Sequence, residues 1–454
     1  MKKDITAQRQ EYSDSLPDWL LVRDTLRGET HIKSEGTKYL PKTSGQIYAE
    51  QDDPLNGPKQ YAAYKQRAEF YDSTQSAYRA MVAMAHASEP EIELPAAMEF
   101  IKDRATKDGM PLEELAKRIT REQLTSGRCP LVVDSDDEDT NDPYILHYMA
   151  EALPNWMGRR RYVFKLAREV EGEKGEVGHQ TYYIEMIAAE GGYIQVQWEQ
   201  QKDEEFVPVN EVFIEGFSQI PVVVAGSVDI TDEIDETPLL PMAKACIASY
   251  QMSADYRHAL FMCGQPTGYS IGTQESERPK ATGSAAWINI ENPQAKLGYL
   301  EFSGSGVSAM RQAIKDKKDE ADTYGVKLTG AGAGEAAETL KVRMMSQQAT
   351  LKSVVKAGGE AIEKCLKMMA EWMGLNPDEV SYTPNMDFAD VNLDHQTLSV
   401  ISGAIAANNL PLEILFEYVR KVGLTEMDDD QIHALLLEDR EDPDDTEEGL
   451  DNEE

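Results

Sequence analysis

No stretch of this chain is apolar for long enough to cross a membrane; the longest apolar runs, such as Pro221–Val228, have the length of a strand. Cysteine is scarce as well. Cys129, Cys246, Cys263 and Cys365 are the only four, and none forms a CxxC pair. Buried free thiols are therefore expected, not a disulfide framework or a zinc site. The seven histidines are scattered, without HxH or HExxH, so no metal is expected. Basic residues are outnumbered: 45 Lys and Arg stand against 81 Asp and Glu, for a formal charge of −36. That balance argues against a protein that grips nucleic acid over a broad basic surface. It leaves room for one past which a polyanion slides, although an acidic face that keeps the chain soluble is the plainer reading of charge alone. The opening MKKDITAQRQEYSD has two lysines and no apolar stretch behind them, so no signal peptide is expected.

Catalytic motifs are missing too. No GxSxG occurs. Gly330-Ala-Gly-Ala-Gly-Glu335 is the one glycine-rich loop ahead of a helix, but it ends in Gly-Glu-Ala where a phosphate loop needs Gly-Lys-Ser/Thr, and Glu335 would repel phosphate. A nucleotide-dependent hydrolase is the weakest of three readings, and no cofactor is expected. The acids Asp134-Ser-Asp-Asp-Glu-Asp139 lack the EF-hand pattern and read as a solvated loop. Arg159-Arg160-Arg161 is the one compact basic cluster; it is either a phosphate or subunit contact or plain surface.

What is present is an alternation of helical and strand-like blocks. Residues 1–60 are polar and mixed. Helical spacing continues through Phe70, Tyr78, Met81 and Met84, then a helix over about Ala96–Lys107, and another opened by Pro111 and closed by Gly127. From Arg128 to about Val228 the chain alternates like strands, with Gly191-Gly192 as a hairpin turn; Ile194, Val196 and Trp198 share one face, Tyr193, Gln195 and Gln197 the other. A long helix starts near Pro238 and stops at Gly264 with Pro266 behind it. Short strands over 267–302, a charged helix over 306–324 and the flexible GVKLTGAGAGEAAE come next. The strongest helix covers 339–373, with Leu340, Met344, Leu351, Val355, Ile362, Leu366, Met369 and Met373 as its stripe; Gly358-Gly359 should weaken or kink it. The acidic end, EDREDPDDTEEGLDNEE, should be disordered.

The order of these blocks resembles the stem, clip, stem, tunnel loop and tunnel helix of tailed-phage portal proteins. Local wording resembles the portal-like DUF4055 family: Pro17-Asp-Trp19 with Arg23-Asp24, Arg67-Ala-Glu-Phe-Tyr-Asp-Ser-Thr, and Ser253-Ala-Asp-Tyr-Arg-His258 leading to Gly264-Gln-Pro-Thr267. The resemblance runs over roughly residues 12–440, and none of its motifs is catalytic. It implies an α+β, mainly helical, elongated, ring-forming subunit. An N-terminal arm (1–19) would precede a wing of helices and a β-rich region (20–237). Stem helices (238–265 and 304–325) would flank a clip (266–303). A tunnel loop (326–338) would lead to a kinked tunnel helix (339–375), a crown-like helical region (376–440) and an acidic tail (441–454).

The same resemblance implies a non-enzymatic role as a conduit for double-stranded DNA in packaging, head–tail joining and ejection. The ring would have about twelve subunits, sit at one vertex of a virion capsid and be assembled in the host cytoplasm. Its partners would be the terminase large subunit, a head–tail connector and the major capsid protein, with no membrane. Lys327, Thr329, Gly330, Gly332, Gly334 and Glu335 would be the DNA-facing loop, and Gly358 and Gly359 the helix kink. Arg159, Arg160, Arg161, Lys341 and Arg343 would be phosphate or subunit contacts. The alternative is another acidic virion or scaffold-interacting structural protein without a channel.

Overall fold

A computed structural model describes residues 4–135, 142–171, 177–201, 205–264, 267–274, 291–300, 306–324 and 337–386, with single positions beyond. The chain divides into two compact units, Met1–Met386 and Asp387–Glu454. The first unit has the mixed helix and sheet content of an α+β protein.

Five helices open the chain: α1 (Gln10–Leu26), α2 (Glu29–Ser34), α3 (Ser44–Asp52), α4 (Gly57–Arg67) and α5 (Ser73–Ala85). Their starts are chemically marked. Thr43 and Gln46 form a reciprocal capping box at α3, and the Asp72 carboxylate accepts from the Gln75 N–H at 3.3 Å. The first of these helices begins within the expected N-terminal arm: Tyr12, Trp19 and Val22 recur at helical spacing along α1 and are buried, with Trp19 at 0% exposure.

After a short strand, β1 (Glu91–Glu93), the expected 96–107 helix is corrected. It is a 3-10 turn at Ala96–Met98 and one turn of α-helix, α6 (Phe100–Asp103). The chain then folds back on itself. Ala105 N–H donates to the Met110 carbonyl, Met110 N–H donates to Thr106 Oγ1, and Gly109 takes φ +81° at the bend. The next helix, α7 (Leu112–Ser126), is strongly amphipathic and ends on Gly127 at φ +76°.

Two antiparallel sheets come next. The first has the order β3 (Tyr144–His147), β2 (Arg128–Asp134), β9 (Val222–Gly226). The second is a meander of β4 (Asn155–Trp156), β5 (Arg161–Glu171), β6 (Val177–Ala189), β7 (Gly192–Gln200) and β8 (Phe206–Glu215). The hairpin turn falls where expected, with Gly191 at φ +81°. Both faces of the meander are partly covered, and the deeper face is the less apolar-looking one in β7. Tyr193, fully buried, lies on the face of Tyr162, Phe164 and Met186 and packs towards Trp19 and Phe217. The Val196 and Trp198 face meets Val163, Tyr183 and Ile5 in a smaller cluster.

The last elements are α8 (Leu240–Cys263), β10 (Thr267–Ile271), β11 (Lys296–Leu300), α9 (Val307–Tyr324), α10 (Ala337–Trp372) and β12 (Ser381–Thr383). From Leu351 onward α10 is core: Leu351, Val355, Ile362, Leu366 and Met369 are buried, several against α7 and the β2–β9 sheet. Each such side chain contributes roughly 1.5–3 kcal/mol on burial. The helix continues through Gly358 and Gly359. A Cβ at Gly358 would lie 2.9 Å from Gln123 Oε1, and one at Gly359 would lie 2.6 Å from Pro384 Cγ. At these glycines neighbouring side chains lie close against the helix. β12, in the stretch expected as crown-like, pairs instead with β1 in the register Ile92↔Tyr382.

Candidate functional site

The segment with the most distinctive geometry is α8–β10–β11–α9. The first half of α8 is embedded: Met242, Cys246, Tyr250 and Ala254 pack with Ile32, Leu40, Tyr64 and Phe70 from the opening helices. Beyond Ala254 the burial stops, and nine further residues extend the helix by roughly 13 Å. β10 and β11 then form an antiparallel hairpin with Thr267 opposite Leu300 and Ile271 opposite Lys296. α9 returns alongside α8, with Ala321 buried in the same cluster as Ala254. The outer part of this unit is apolar and uncovered: Phe261, Met262, Tyr269, Leu297 and Met310 are exposed, and Ile271 is 59% exposed. Isolated exposed apolar residues are ordinary, but a concentration on one projecting element marks an interaction surface.

The wording that carried the family resemblance meets at the root of this projection. Tyr64 Oη donates to Asp255 Oδ1 at 2.5 Å, and the Tyr64 ring stands edge-on to His258. The Arg67 guanidinium lies 4.1 Å from the Phe261 ring centroid and beside His258 Nδ1 at 3.4 Å. Glu69 pairs with Arg257, its N–H donates to Ser253 Oγ at 2.9 Å, and the Ser253 hydroxyl stands 2.8 Å from the Glu69 carbonyl. Asp18 reaches Lys244 at 3.2 Å. Burial, followed by the positive Arg67, holds His258 below its ordinary pKa. The motif at 67–74 and the one at 253–258 are thus two sides of one brace that fixes the direction in which α8 leaves the body. Sequence spacing alone carried no sign of this pairing.

A second brace lies deeper. The Arg23 guanidinium holds both Glu151, at 2.5 Å, and Glu122, at 2.8 Å. The neighbouring Asp24 accepts from Tyr39 Oη and Lys38 Nζ, both at 2.6 Å, and lies 2.8 Å from His31 Nε2. Arg23 ties α1 to α7 and to the turn after β3, and Asp24 ties it to α2 and the turn that follows.

The basic triplet separates in space. Arg161 pairs at 2.5 Å with the buried Glu185, so it belongs to the sheet. Arg159 and Arg160 are exposed in the turn between β4 and β5. Arg159 is close enough to Lys364 of α10 to help burial depress that lysine's pKa. Lys327, Thr329, Gly330, Gly332, Gly334 and Glu335 lie outside the described residues, as do the side chains of Lys341 and Arg343.

One buried cation went unnoticed in the sequence. Arg128, at the start of β2, is fully buried with its guanidinium 4.5 Å from the Trp156 ring centroid; Arg9 lies 4.7 Å from the same ring. No guanidinium nitrogen of Arg128 has a hydrogen-bond partner among the described residues. Burial pushes its pKa down to about 10, against the pull of Asp232 and Asp235. Among the described residues no helix is long and apolar enough to cross a membrane, and no group of three His, Cys, Asp or Glu side chains could hold a metal.

The family model described as a domain of unknown function, DUF4055, matches residues 238–373. That span, less than a third of the chain, begins just before α8 and ends just after α10. Among solved structures, a chain from the virion of a native gene transfer agent particle is similar at 14% identity and a TM-score of 0.43, covering 85% of this chain and 100% of that one. A chain from the neck of an empty gene transfer agent particle, computed with C6 symmetry, is similar at 13% identity and a TM-score of 0.43, covering 82% and 96%. No curated protein matches.

Proposed function

We propose that this chain is a phage portal subunit, a structural and non-enzymatic protein whose ring conducts double-stranded DNA at one vertex of a virion. The observation that carries the proposal is the α8–β10–β11–α9 projection, braced at its root and apolar at its tip, followed by the long α10 within the segment that the DUF4055 model matches. In a lone subunit the exposed apolar tip has no role. In a ring it supplies contacts between neighbours or to a docking protein. The formal charge of −36 suits a channel that must not hold the DNA it passes, since each Lys–phosphate contact is a point of adhesion.

In this reading α8 and α9 are the stem, the hairpin is the clip, and residues 326–338 form the loop nearest the DNA. Only the first half of α10 is available as a tunnel lining, because its second half is core. The partners are the terminase large subunit, a head–tail connector and the major capsid protein. The test is electron microscopy with mass measurement of the purified assembly, where rings with a central hole are expected. A sample that stays monomeric, or assembles into particles with no hole, refutes the conduit.

A further inference from the structure

We propose that a basic, tyrosine-walled groove over the seam of α5 and α7 is a docking site for an acidic peptide segment of a partner protein. The site does not depend on ring formation or on the conduit role.

The groove consists of two cavities. One, of 840 Å³, lies between α1, α7, the end of β3 and β5; Tyr12, Tyr78, Tyr148, Arg118, Arg121 and Lys165 line it. The other, of 590 Å³, shares Tyr78 and Arg121 with the first and adds Arg79, His86 and Lys117. Five cationic side chains therefore line two adjoining cavities on a chain with a large net negative charge. The only carboxylates lining either cavity are Glu122 and Glu151, and Arg23 holds both. Lys117 is paired with Glu113 at 2.5 Å, and Arg121 with Glu114 at 3.2 Å. Arg79, Arg118 and Lys165 have no ion pair among the described residues. Asp108, the further carboxylate that feels Arg118, engages Thr106. His147 also lines the larger cavity, and burial followed by the positive Arg118 holds it below its ordinary pKa.

The shape decides between acidic ligands. Cavities of this size accept side chains or a short extended segment, not the flank of a duplex, which needs a broad basic surface for its phosphates. The walls also include Leu16, Met149 and Leu166. Apolar walls with converging guanidinium and ammonium groups suit a strand that alternates carboxylates with apolar side chains. The carboxylates would take charge-assisted bonds from Arg118 and Lys165, and tyrosines give rigid contact area at low entropic cost.

The test uses the purified full chain and fluorescence anisotropy of a short labelled peptide alternating glutamate and leucine. Saturable binding that weakens with salt is expected. Arg118→Glu and Lys165→Glu are each expected to weaken it about tenfold, or about 1.4 kcal/mol, since each replaces a charge-assisted bond by repulsion. Both side chains are exposed, and circular dichroism checks that the variants fold. The milder Arg118→Gln and Lys165→Gln are expected to weaken binding in the same direction. Lys352→Glu, at an exposed position of α10, is expected to leave it unchanged. Loss of affinity confined to the groove variants supports the site. Peptide affinity unmoved by both groove reversals overturns it. So does a DNA duplex or an oligothymidine that binds more tightly than the peptide and loses that binding in the same variants.

Discussion

Replacing Arg128 by methionine should stabilise the protein. Arginine at this position is fully buried, with its guanidinium hydrogen-bonded to nothing among the described residues. The fall of its pKa from the ordinary 12.5 to about 10 corresponds to about 3 kcal/mol against the charged form. Below pH 10 both the folded and the unfolded chain carry the charge, so that penalty is present in full at pH 7. Against it stands the stacking on Trp156, which contributes roughly 0.5–2 kcal/mol. Methionine matches the length of the arginine stem, fills most of the same space and needs no partner. The expected net effect is a gain of about 1–3 kcal/mol, within the range measured when buried ionic groups give way to apolar ones. Urea denaturation at pH 7 reads it directly as a higher midpoint with an unchanged slope. Arg128→Ala should fall the other way, because it empties a buried site and leaves a cavity. If Arg128→Met proves less stable than the wild type by about 1 kcal/mol or more, the reasoning fails, and the guanidinium must be satisfied in solution.

Three further outcomes are expected. Gly359→Leu should lower stability by about 1–3 kcal/mol, because even its Cβ would lie 2.6 Å from Pro384; thermal melting reads the loss, and Pro384→Ala should relieve part of it. His86 has its pKa pushed down to about 4, by burial first and by Lys117 next. The unfolded chain therefore binds the proton first, and stability should fall as pH drops from 6.5 towards 4, by about 1–2 kcal/mol after allowance for partial exposure; His86→Gln should flatten that part of the profile. Ile271→Glu with Leu297→Glu, at the exposed hairpin, should leave the melting temperature of the subunit unchanged and abolish rings in electron micrographs.

The late elements were legible in the sequence because their ends are marked chemically. Pro238 precedes the start of α8, Gly264 ends it, and the apolar stripe of α10 runs on to Met373. The hairpin at Gly191 was equally plain, since a left-handed turn there needs glycine. Other features were hidden, each for its own physical reason. In α1 the stripe of Tyr12, Leu16, Trp19 and Val22 is thinned by Pro17 and by charges between the apolar positions, so the stretch reads as polar and mixed. Over 96–107 the apolar content suited a helix, but Thr106 and Gly109 make a tight return that a tertiary contact, Ile145 N–H to the Ala105 carbonyl, holds in place. In β7 the more apolar face is the shallower one, because Tyr193 meets Phe217 within the larger cluster. The brace of Tyr64, Arg67 and Glu69 with Ser253, Asp255 and Arg257 joins residues nearly two hundred positions apart, and no local pattern encodes such a meeting.

The pairing of β1 with β12 has a consequence for biosynthesis. The strand at 91–93 is made early and waits for its partner at 381–383, and the underside of α7 waits for the second half of α10. Until the ribosome has released roughly the last quarter of the polypeptide, Leu115, Ile119, Leu131 and Val223 lack the side of their cluster that Ile362, Leu366 and Met369 supply. At about 5–20 residues per second, that interval lasts many seconds, during which the nascent chain presents an open greasy trough. Chaperone capture during translation, and insolubility of any fragment that stops short of Met369, are the expected results of this one late closure.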